Sequence, residues 1–292
     1  MTSNLLLKLS RQLYDNPSDR QSFIDAILQP APLNSAILWT KDYQPKPFPC
    51  LEPFPWQPDF TDRLSSDIRP GKHPLHDQGF YYCLDLSSVF AASVLLAVPK
   101  PVETVIDLCA APGGKSIFAW RVFQPSKLYA NEVIGKRSAA LIANLKRCGI
   151  TNWEVCQLDV KVFAQNYVNQ GDVVIVDAPC SGQSLLVKKE KNEGCFHPVM
   201  IKHNAQRQRR ILANAAPIVK TGGYLAYMTC TYSPEENEET LTWLLQKFPA
   251  FVPISVPTLA AHQSHLTDIP CYRLMPQTQI GAGAFTALLQ KN

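Results

Sequence analysis

Two cysteines that follow apolar runs are the residues best suited to nucleophilic chemistry. Cys180 stands in VVIVDAPCSG (173–182), where four β-branched residues lead into an acid, a proline and the thiol. Cys230 stands in GGYLAYMTCTYSPEENEET (222–240), again directly after an apolar run. Ligands of open α/β sheets lie outside the carboxyl ends of the strands, but cysteine is also among the most often buried residues. Each thiol is therefore either part of a site or inert packing.

The loop after the first strand of the alternating region is a candidate nucleotide site. TVIDL (104–108) runs into CAAPGGKS (109–116) and then a helix, so that helix N-terminal N–H groups point at a ligand. A P-loop needs glycine where Cys109 stands, and a dinucleotide fingerprint needs G-x-G-x-x-G where only Gly113-Gly114 is present. A loop that binds S-adenosyl-L-methionine has no pyrophosphate to cradle, so it tolerates fewer glycines.

Acidic residues stand at or near the carboxyl ends of four successive predicted strands, VIDL, YANE, CQLD and VIVD. A donor site needs an acid after the second strand for the ribose hydroxyls, and Glu132 stands 19 residues beyond Gly113. Asp159, after the third strand, would serve the adenine amino group, and Asp177 ends the fourth. A single acid at such a place is commonly a helix cap or a turn residue. The set of four favours a cofactor site.

Two thiols beside a methyl-donor pocket suit the methylation of a pyrimidine carbon. Carbon 5 of a pyrimidine is a poor nucleophile, but a thiolate that adds to carbon 6 makes an enamine whose carbon 5 attacks the methyl group. A base must then remove the proton from carbon 5 before the thiolate can leave. Two cysteines can divide these two tasks.

Composition limits the class of protein. The 292 residues carry a net charge of +4, with 18% charged and 46% hydrophobic residues, typical of a globular protein that buries a core without disulfide or metal. The nine cysteines contain no CxxC pair, so we expect neither a disulfide framework nor a zinc site. The N-terminal three-leucine run is too short for a signal peptide, and no segment approaches a membrane span. We expect a cytoplasmic, monomeric protein without metal or membrane anchor.

The elements that position these residues alternate from Asp85 onward. Strands alternating with helices predict right-handed crossovers and a mostly parallel, doubly wound sheet. Predicted helices cover 85–98, 116–123, 135–150 and 203–219, and predicted strands cover 103–108, 127–133, 153–158, 173–178 and 223–229. The segments before them are rich in proline, which favours extended and turn structure. We predict a small N-terminal region at 1–75 and a main domain at 76–292.

The motifs together resemble the RNA 5-methylcytosine methyltransferases of the RsmB/NOP/Sun family, most closely its RsmF-like bacterial ribosomal RNA members. The resemblance covers about 79–287. Its motifs are DLCAAPGGKS (107–116), ANEV (130–133), KRSAALIANLKRCG (136–149), DAPCSG (177–182), residues 206–211, TCTYSPEENE (229–238) and the closing hairpin YRLMPQTQIGAGAF (272–285). It implies an α/β, Rossmann-like class I S-adenosylmethionine-dependent methyltransferase with a mostly parallel, doubly wound seven-stranded sheet and a small N-terminal α+β appendage.

The resemblance also implies roles. Cys230 would be the nucleophile, Cys180 would assist product release, Asp177 would orient the cytosine, and Lys115 would support the neighbouring carboxylates. The residues implied to bind S-adenosyl-L-methionine are Cys109, Ala110, Ala111, Pro112, Gly113, Gly114, Lys115, Glu132, Arg137, Asp159 and Asp177. DNA cytosine-5 methyltransferases attack with a cysteine of a Pro-Cys pair after the fourth strand, which makes Cys180 the alternative nucleophile.

Positive charge concentrates beside Cys180. Between residues 188 and 210 the chain has seven Lys or Arg residues against two acids. Such a stretch is either a solvated face or the path of a phosphate backbone, which would position RNA without selecting its sequence. The N-terminal aromatic residues either stack unpaired bases or pack against the main domain. They are Trp39, Phe48, Phe54 and Trp56.

Two positions depart from the family pattern and affect the choice of substrate. Family members typically have Arg-Val-Asn where this chain has AILWT (36–40), and a glutamine where it has Leu84. The chain also shows neither the extra N-terminal RNA-binding domain nor the long C-terminal extension of larger relatives. We therefore expect cytosine-5 methylation of an RNA that a compact enzyme can hold, ribosomal RNA before transfer RNA. The alternatives are a non-catalytic RNA-binding or ribosome-assembly factor and an ATPase that uses Gly114-Lys115-Ser116.

Overall fold

The computed structural model describes residues 4–292, so the first three residues of the region predicted at 1–75 lie outside the described residues. Two helices precede a small sheet in the order β2-β3-β1-β4, in which every pair is antiparallel. The elements of this part are α1 (Asn4–Leu13), α2 (Pro17–Leu28), β1 (Ser35–Trp39), β2 (Cys50–Leu51), β3 (Thr61–Leu64), α3 (Pro74–Asp77) and β4 (Tyr81–Asp85).

The remainder of the chain alternates strands and helices and ends in short antiparallel strands. Its helices are α4 (Leu86–Ala92), α5 (Gly114–Phe123), α6 (Gly135–Arg147), α7 (Val160–Asn166), α8 (Pro198–Ala215) and α9 (Glu238–Lys247). Its strands are β5 (Thr104–Asp107), β6 (Lys127–Asn131), β7 (Trp153–Cys156), β8 (Gly171–Asp177), β9 (Val219–Thr229), β10 (Phe251–Pro253), β11 (Tyr272–Leu274) and β12 (Ala284–Lys291).

The larger sheet has the order β10-β12-β9-β8-β5-β6-β7. Strands β5 to β9 pair in parallel, and β12 runs antiparallel to β9. The predicted mostly parallel sheet is confirmed, and so is the closing hairpin, in which Tyr272 of β11 lies opposite Thr286 of β12. The continuous path has seven strands, the number that the family resemblance implies, and β11 adds an eighth at the side of β12. Strand β10 was not predicted from the sequence, because its three residues are too few to identify as a strand.

The chain direction creates a crevice between β5 and β8. From β5 the sheet continues to β6 and β7 on one side, and to β8 and β9 on the other. Ligands of doubly wound sheets bind at such a switch point, outside the carboxyl ends of the strands. Residues Val173–Val176 of β8 are fully buried, as expected for a parallel strand covered on both faces.

The N-terminal region packs closely on the rest of the chain. Trp39 is 5% exposed and Trp56 is 2% exposed, and Trp56 meets Phe90 of α4 edge-on with ring centroids 5.3 Å apart. Phe54 stacks on Trp56. The two alternatives for these aromatic residues were base stacking and packing against the main domain, and the two buried tryptophans pack.

Strand β4 connects the two sheets. It pairs with β1, with Trp39 opposite Tyr81, and it continues directly into α4. The predicted boundary between residues 75 and 76 therefore precedes the last strand of the smaller sheet, and the division into two regions stays a prediction. None of the helices within residues 4–292 combines the length and the apolar character that a membrane crossing requires.

Candidate active site

The two candidate thiols are in direct contact. Sγ of Cys180 lies 3.1 Å from Sγ of Cys230, and the backbone N–H of Cys230 donates to Cys180 Sγ at 3.4 Å. They meet because β8 and β9 are parallel neighbours, with Asp177 opposite Met228, so that the two loops leave the same edge of the sheet. The prediction that both cysteines lie on neighbouring strand ends is confirmed.

The two thiols differ in acidity. The hydrogen bond with Cys180 lowers the pKa of Cys230, and the charges of Lys188 and Lys115 lower it further, against burial and the charge of Asp177. The same hydrogen bond, burial and the charge of Glu236 raise the pKa of Cys180 well above its usual value. Because the thiolate is the nucleophilic form of cysteine, these opposite directions favour the thiolate at Cys230 over the thiolate at Cys180.

A lysine and an aspartate lie next to the thiols. Nζ of Lys115 is 3.2 Å from Oδ2 of Asp177, with side chains 11% and 34% exposed. Asp177 ends β8, and Lys115 belongs to the first turn of α5, which begins at Gly114. The structure thus brings together the four residues for which the sequence predicted catalytic roles.

A buried carboxylate that the sequence analysis did not single out holds the Cys180 loop. Glu236 is fully buried, and its Oε2 accepts from the backbone N–H of Ser181 at 2.9 Å and from Nε2 of Gln208 at 2.8 Å. The Gln208 amide also donates to the carbonyl of Pro179 at 3.1 Å. Burial raises the pKa of Glu236. Glu236 is part of the PEEN motif, so its signal lay in the family match and not in any local pattern.

Side-chain hydrogen bonds also join the two cysteine loops directly. The hydroxyls of Ser181 and Thr231 are 2.7 Å apart. The Asn237 amide donates to the carbonyl of Thr231 at 3.0 Å and accepts from the Thr229 hydroxyl at 2.6 Å. The residue after Cys180 is therefore hydrogen-bonded to the residue after Cys230, and both neighbours of Cys230 are hydrogen-bonded to Asn237, directly before α9.

The thiols open into a cavity of about 370 Å³, which we call the cysteine cavity. It combines both cysteines, two lysines and two aspartates with a wall of small residues. Its lining includes Asp85, Ser87, Ser88, Cys109, Ala111, Pro112, Lys115, Arg137, Asp177, Pro179, Cys180, Lys188, Cys230 and Gly283.

A second cavity of about 390 Å³, which we call the Glu132 cavity, adjoins it. The two share Cys109, Arg137 and Pro179. The Glu132 cavity is lined by Leu108, Cys109, Glu132, Val133, Arg137, Asp159, Val160, Lys161, Pro179, Arg207, Arg210, Ile211, Ala213 and Asn214.

Glu132 is a buried carboxylate with two fixed partners. Its side chain is 4% exposed, Oε1 accepts from the backbone N–H of Ile134 at 3.0 Å, and Oε2 is 3.1 Å from Nη1 of Arg137. Asp159 is exposed and caps α7 by accepting from the backbone N–H of Lys161 at 2.9 Å. Both acids predicted to contact the donor line this cavity, and both also stabilise the turn that follows their strand.

The remaining residues predicted to bind the donor divide into three groups. Cys109 and Arg137 line both cavities, and Nη2 of Arg137 donates to the carbonyl of Ala111 at 2.7 Å. Ala111, Pro112, Lys115 and Asp177 line the cysteine cavity alone. Within residues 4–292, Ala110, Gly113 and Gly114 line neither cavity, so their contribution is to the shape of the loop.

Gly113 shows why the loop needs glycine. Its φ of +115° lies in the region that favours glycine, and an added Cβ would lie 3.2 Å from Cδ1 of Leu141. Asp107, the first of the four strand-end acids, holds the same loop by accepting hydrogen bonds from Cys109 and Ser116. It is fully buried, and its Oδ2 accepts from the Ser116 hydroxyl at 2.6 Å. Burial raises the pKa of Asp107 to about 7, and this acid lines neither cavity of the described chain.

Other cavity residues come from places that the sequence analysis treated as a group or not at all. Arg207 and Arg210 of α8 line the Glu132 cavity, and Lys188 lines the cysteine cavity. All three belong to the basic stretch, but linear charge does not tell which face each side chain takes. Asp85 carried no signal beyond its place at the start of the predicted helix 85–98. Across residues 4–292 no group of three His, Cys, Asp or Glu side chains is arranged to hold a metal ion.

Comparisons with known proteins agree with this geometry. Residues 94–290 match the family described as 16S rRNA methyltransferase RsmB/F. The chain is 32% identical over 248 residues to the ribosomal RNA small subunit methyltransferase F of Escherichia coli O9:H4. It is 33% identical over 247 residues to the protein of the same name in Cronobacter sakazakii. Each alignment covers 82% of this chain and 52% of the relative, so the chain spans about half the length of these curated relatives.

Solved structures share the fold. A methyltransferase homologue from Pyrococcus horikoshii superposes with a TM-score of 0.76 at 23% identity, covering 99% of this chain and 100% of that one. NSun6 from Pyrococcus horikoshii, solved with SFG, gives a TM-score of 0.77 at 17% identity, covering 99% and 98%. At these identities the likeness concerns the fold.

Proposed function

The chain belongs to the 16S rRNA methyltransferase RsmB/F family, and from this membership we propose that it methylates carbon 5 of a cytosine in RNA. Ribosomal RNA is the favoured substrate because the curated relatives carry that name, and transfer RNA is the second choice. The observation that carries the proposal is the contact of Cys180 and Cys230 at 3.1 Å beside the Lys115–Asp177 pair. One thiol with a lowered pKa and one with a raised pKa, next to a carboxylate, suit the addition of sulfur to carbon 6 and the later release of the methylated cytosine.

The Glu132 cavity fits S-adenosyl-L-methionine. Leu108, Val133, Val160 and Ile211 provide aliphatic walls for an adenine ring, and the buried carboxylate of Glu132 can accept hydrogen bonds from ribose hydroxyls. Asp159 would lie near the adenine amino group. Arg137 and Cys109 line both cavities and so would stand between donor and cytosine. When bound, S-adenosyl-L-methionine supplies an electrophilic methyl group carried on a sulfonium.

Cys230 acts as the nucleophile. Its thiolate forms a bond to carbon 6 of cytosine, and the electron pair of the carbon 5–carbon 6 double bond makes carbon 5 nucleophilic. The lowered pKa of Cys230, due first to the hydrogen bond with Cys180, supports this assignment. Asp177 holds the polar edge of the ring, and Lys115 orients the Asp177 carboxylate from 3.2 Å.

Cys180 removes the proton from carbon 5 in the release step. The hydrogen bond with Cys230 is the first cause of the raised pKa of Cys180. Once Cys230 is a neutral thioether, that cause is gone, so Cys180 can lose its proton to solvent and act as a base. The carbon 5 proton then passes to Cys180, the double bond re-forms, and the bond between carbon 6 and Cys230 breaks with the electron pair returning to sulfur.

We assign the reaction to residues 76–292 and a supporting role to residues 1–75. The N-terminal helices pack under the cysteine loops, where Phe23 of α2 meets Tyr232 edge-on with ring centroids 5.3 Å apart. The basic residues beside the cavities would follow the phosphate backbone of the RNA. In this proposal Lys188, Arg207 and Arg210, which line the two cavities, belong to one RNA-binding face.

Bisulfite sequencing of total RNA from cells with and without the gene tests the activity. We expect at least one ribosomal cytosine to lose its methyl mark in cells without the gene, and restoring the gene should restore it. Restoring a Cys230→Ala gene should not. If no cytosine changes, the chain is better described as an RNA-binding or assembly factor that keeps the fold.

The division of work between the cysteines is tested on purified protein with donor and RNA from cells lacking the gene. Cys180→Ala should accumulate a covalent RNA–protein adduct that survives denaturing electrophoresis, because addition proceeds and release is blocked. Cys230→Ala should form no adduct. The reverse pattern would make Cys180 the nucleophile.

A further inference from the structure

Lys188 is the cation of the cysteine cavity that the proposed reaction leaves without a role. It lines the cavity together with Cys230, and its side chain is 31% exposed. Its Nζ lies 4.0 Å from Oδ2 of Asp85, which is an ion pair too long for a hydrogen bond. Within residues 4–292 no acceptor holds this ammonium by a hydrogen bond.

The cavity therefore contains two lysine–aspartate pairs of different closeness. Lys115 lies 3.2 Å from Asp177, whereas Lys188 lies 4.0 Å from Asp85. The Asp85 carboxylate is also engaged elsewhere, because its Oδ1 accepts from the backbone N–H of Ser87 at 2.8 Å and caps α4. Since Coulomb attraction falls with distance, the charge of Lys188 is the less neutralised of the two.

The fold holds Lys188 at this place. Its loop begins at Gly182 and returns at Asn192, whose amide donates to the carbonyls of Ser181 at 2.8 Å and Gly182 at 2.7 Å. Lys188 itself donates its backbone N–H to the carbonyl of Leu185 at 3.0 Å. The position of the ammonium thus follows from a closed loop on the same strand end as Cys180.

The neighbouring lysine takes another direction. Lys189 lines a separate apolar groove with Leu28, Leu186 and Phe196, and it does not line the cysteine cavity of the described chain. Consecutive lysines of one basic stretch therefore meet different surroundings. This difference provides a matched control, because the two residues carry the same charge one position apart.

We propose that Lys188 is a positioning residue for Cys230, whose ammonium stabilises the attacking thiolate within the cavity that both side chains line. The proposal rests on the proposed role of Cys230 as the nucleophile. The charge of Lys188 lowers the pKa of Cys230, after the larger effect of the hydrogen bond with Cys180. The other ionisable groups around the thiols are Asp85, Cys109, Lys115, Arg137, Asp177, Tyr232 and Glu236.

Alkylation of the free protein tests this without RNA or donor. The rate at which iodoacetamide modifies Cys230 is measured against pH, with the site read by peptide mass spectrometry. Removing the Lys188 charge destabilises the thiolate, so in Lys188→Met the profile should move to higher pH and the rate at pH 7 should fall about threefold to tenfold. Lys188→Arg should keep the profile of the unchanged protein. Lys189→Met removes the same charge and should also leave it unchanged.

Three results would overturn the proposal. One is an unchanged profile in both Lys188→Met and Lys188→Gln, with thermal unfolding midpoints showing that the variants are folded. Another is an equal shift in Lys189→Met, which would reveal a general charge effect. The third is an unchanged profile joined to weaker RNA binding, which would assign Lys188 to a phosphate. Because Cys230 is alkylated whether or not it methylates RNA, failure of the proposed function would be seen separately.

Discussion

The two adjoining cavities are nearly equal in volume and very different in lining. The Glu132 cavity, about 390 Å³, has aliphatic walls and one ion pair, between the buried Glu132 and the half-exposed Arg137. The cysteine cavity, about 370 Å³, holds two thiols in contact and two lysine–aspartate pairs. The first is suited to bind a nucleoside, and the second to move charge and protons. In the proposed reaction, only the three residues that the cavities share would separate the bound donor from the reacting cytosine.

The cavities also differ in how much of the chain builds them. The Glu132 cavity takes its residues from the segments that follow β5, β6, β7 and β8, together with residues of α6, α7 and α8. The cysteine cavity adds the junction of β4 and α4, and the turn before β12, where Gly283 has a φ of +116°. A Cβ at Gly283 would lie 2.4 Å from Cε1 of Tyr232. The cysteine cavity therefore depends more strongly than the Glu132 cavity on close packing between segments that are distant in sequence.

The largest effect is expected from Asp177→Asn. It removes the negative charge that pairs with Lys115 and replaces one carboxylate oxygen at the cytosine edge with an NH2 donor, so methyl transfer to RNA from cells lacking the gene should fall about 10² to 10⁴-fold. Donor affinity by calorimetry should change less than about threefold, because Asp177 does not line the Glu132 cavity. Asp42→Asn, at a 95% exposed side chain, is the control. An equal loss of donor affinity would erase the distinction between the cavities.

Glu132→Ala should do the reverse, weakening donor binding while leaving the reactivity of Cys230 unchanged. Loss of a charged acceptor for the ribose hydroxyls should weaken donor binding about 10 to 100-fold by calorimetry. The rate of Cys230 alkylation should stay the same, since Glu132 does not line the cysteine cavity. Glu154→Ala removes a half-exposed glutamate on the next strand, paired with Lys127, and should alter neither. Slower alkylation in Glu132→Ala would show that the two cavities are coupled.

A smaller contrast is expected within the cysteine cavity itself. Because the pKa of Cys230 is lowered and that of Cys180 is raised, Cys230 is the thiolate at the lower pH. At pH 7 iodoacetamide should modify Cys230 at least about tenfold faster than Cys180. Cys180→Ala removes the hydrogen-bond donor and should slow alkylation of Cys230. Equal labelling of both thiols would contradict the assigned acidities.

The smallest effect concerns the support beneath the cysteine loops. Glu236→Ala leaves the N–H of Ser181 and the amide of Gln208 without their acceptor and should cost about 1–3 kcal/mol in urea unfolding. Glu236→Gln keeps an acceptor and should cost less than about 1 kcal/mol.

The pH dependence of that comparison has a definite sign. Since burial raises the pKa of Glu236 above 4.5, the ionised form costs stability, and this cost sets in as the pH rises through the raised pKa. Glu236→Gln should therefore gain stability relative to the unchanged protein between pH 4.5 and pH 7. A relative loss over that range would mean that the carboxylate is the favoured form.

Most of the large sheet was predictable because its signals are local. The β-branched run before Asp177 and the alternation of apolar strands with amphipathic helices identify β5 to β9 in order. Helices α1 and α2 and strand β4 were not predicted. The buried residues Leu6, Leu9 and Leu13 give α1 a helical period, so its signal was present in the sequence, whereas the two consecutive tyrosines of β4 carry no clear period. Their place depends on the partners they meet, such as Tyr232 for Phe23.

The site was predictable in its members more than in its arrangement. Residue types and strand ends were enough to select Cys180, Cys230, Asp177 and Glu132, because side chains that follow parallel strands reach the same edge. The family resemblance, and not spacing, assigned the attack to Cys230. The hydrogen bond between the thiols lowers the pKa of Cys230 and raises that of Cys180, which supports the proposed assignment.

The amino-acid sequence alone determines which reactive side chains are present and that strands alternate with helices, since both depend on neighbours along the chain. Packing decides the rest. Fifty residues separate Cys180 from Cys230, and only the register of β8 and β9 brings their sulfur atoms to 3.1 Å. Likewise, Lys188 lines the cysteine cavity and Lys189 lines a separate groove, although both belong to one loop. The sequence shows the charge of each lysine, but only the fold determines which cavity its side chain reaches.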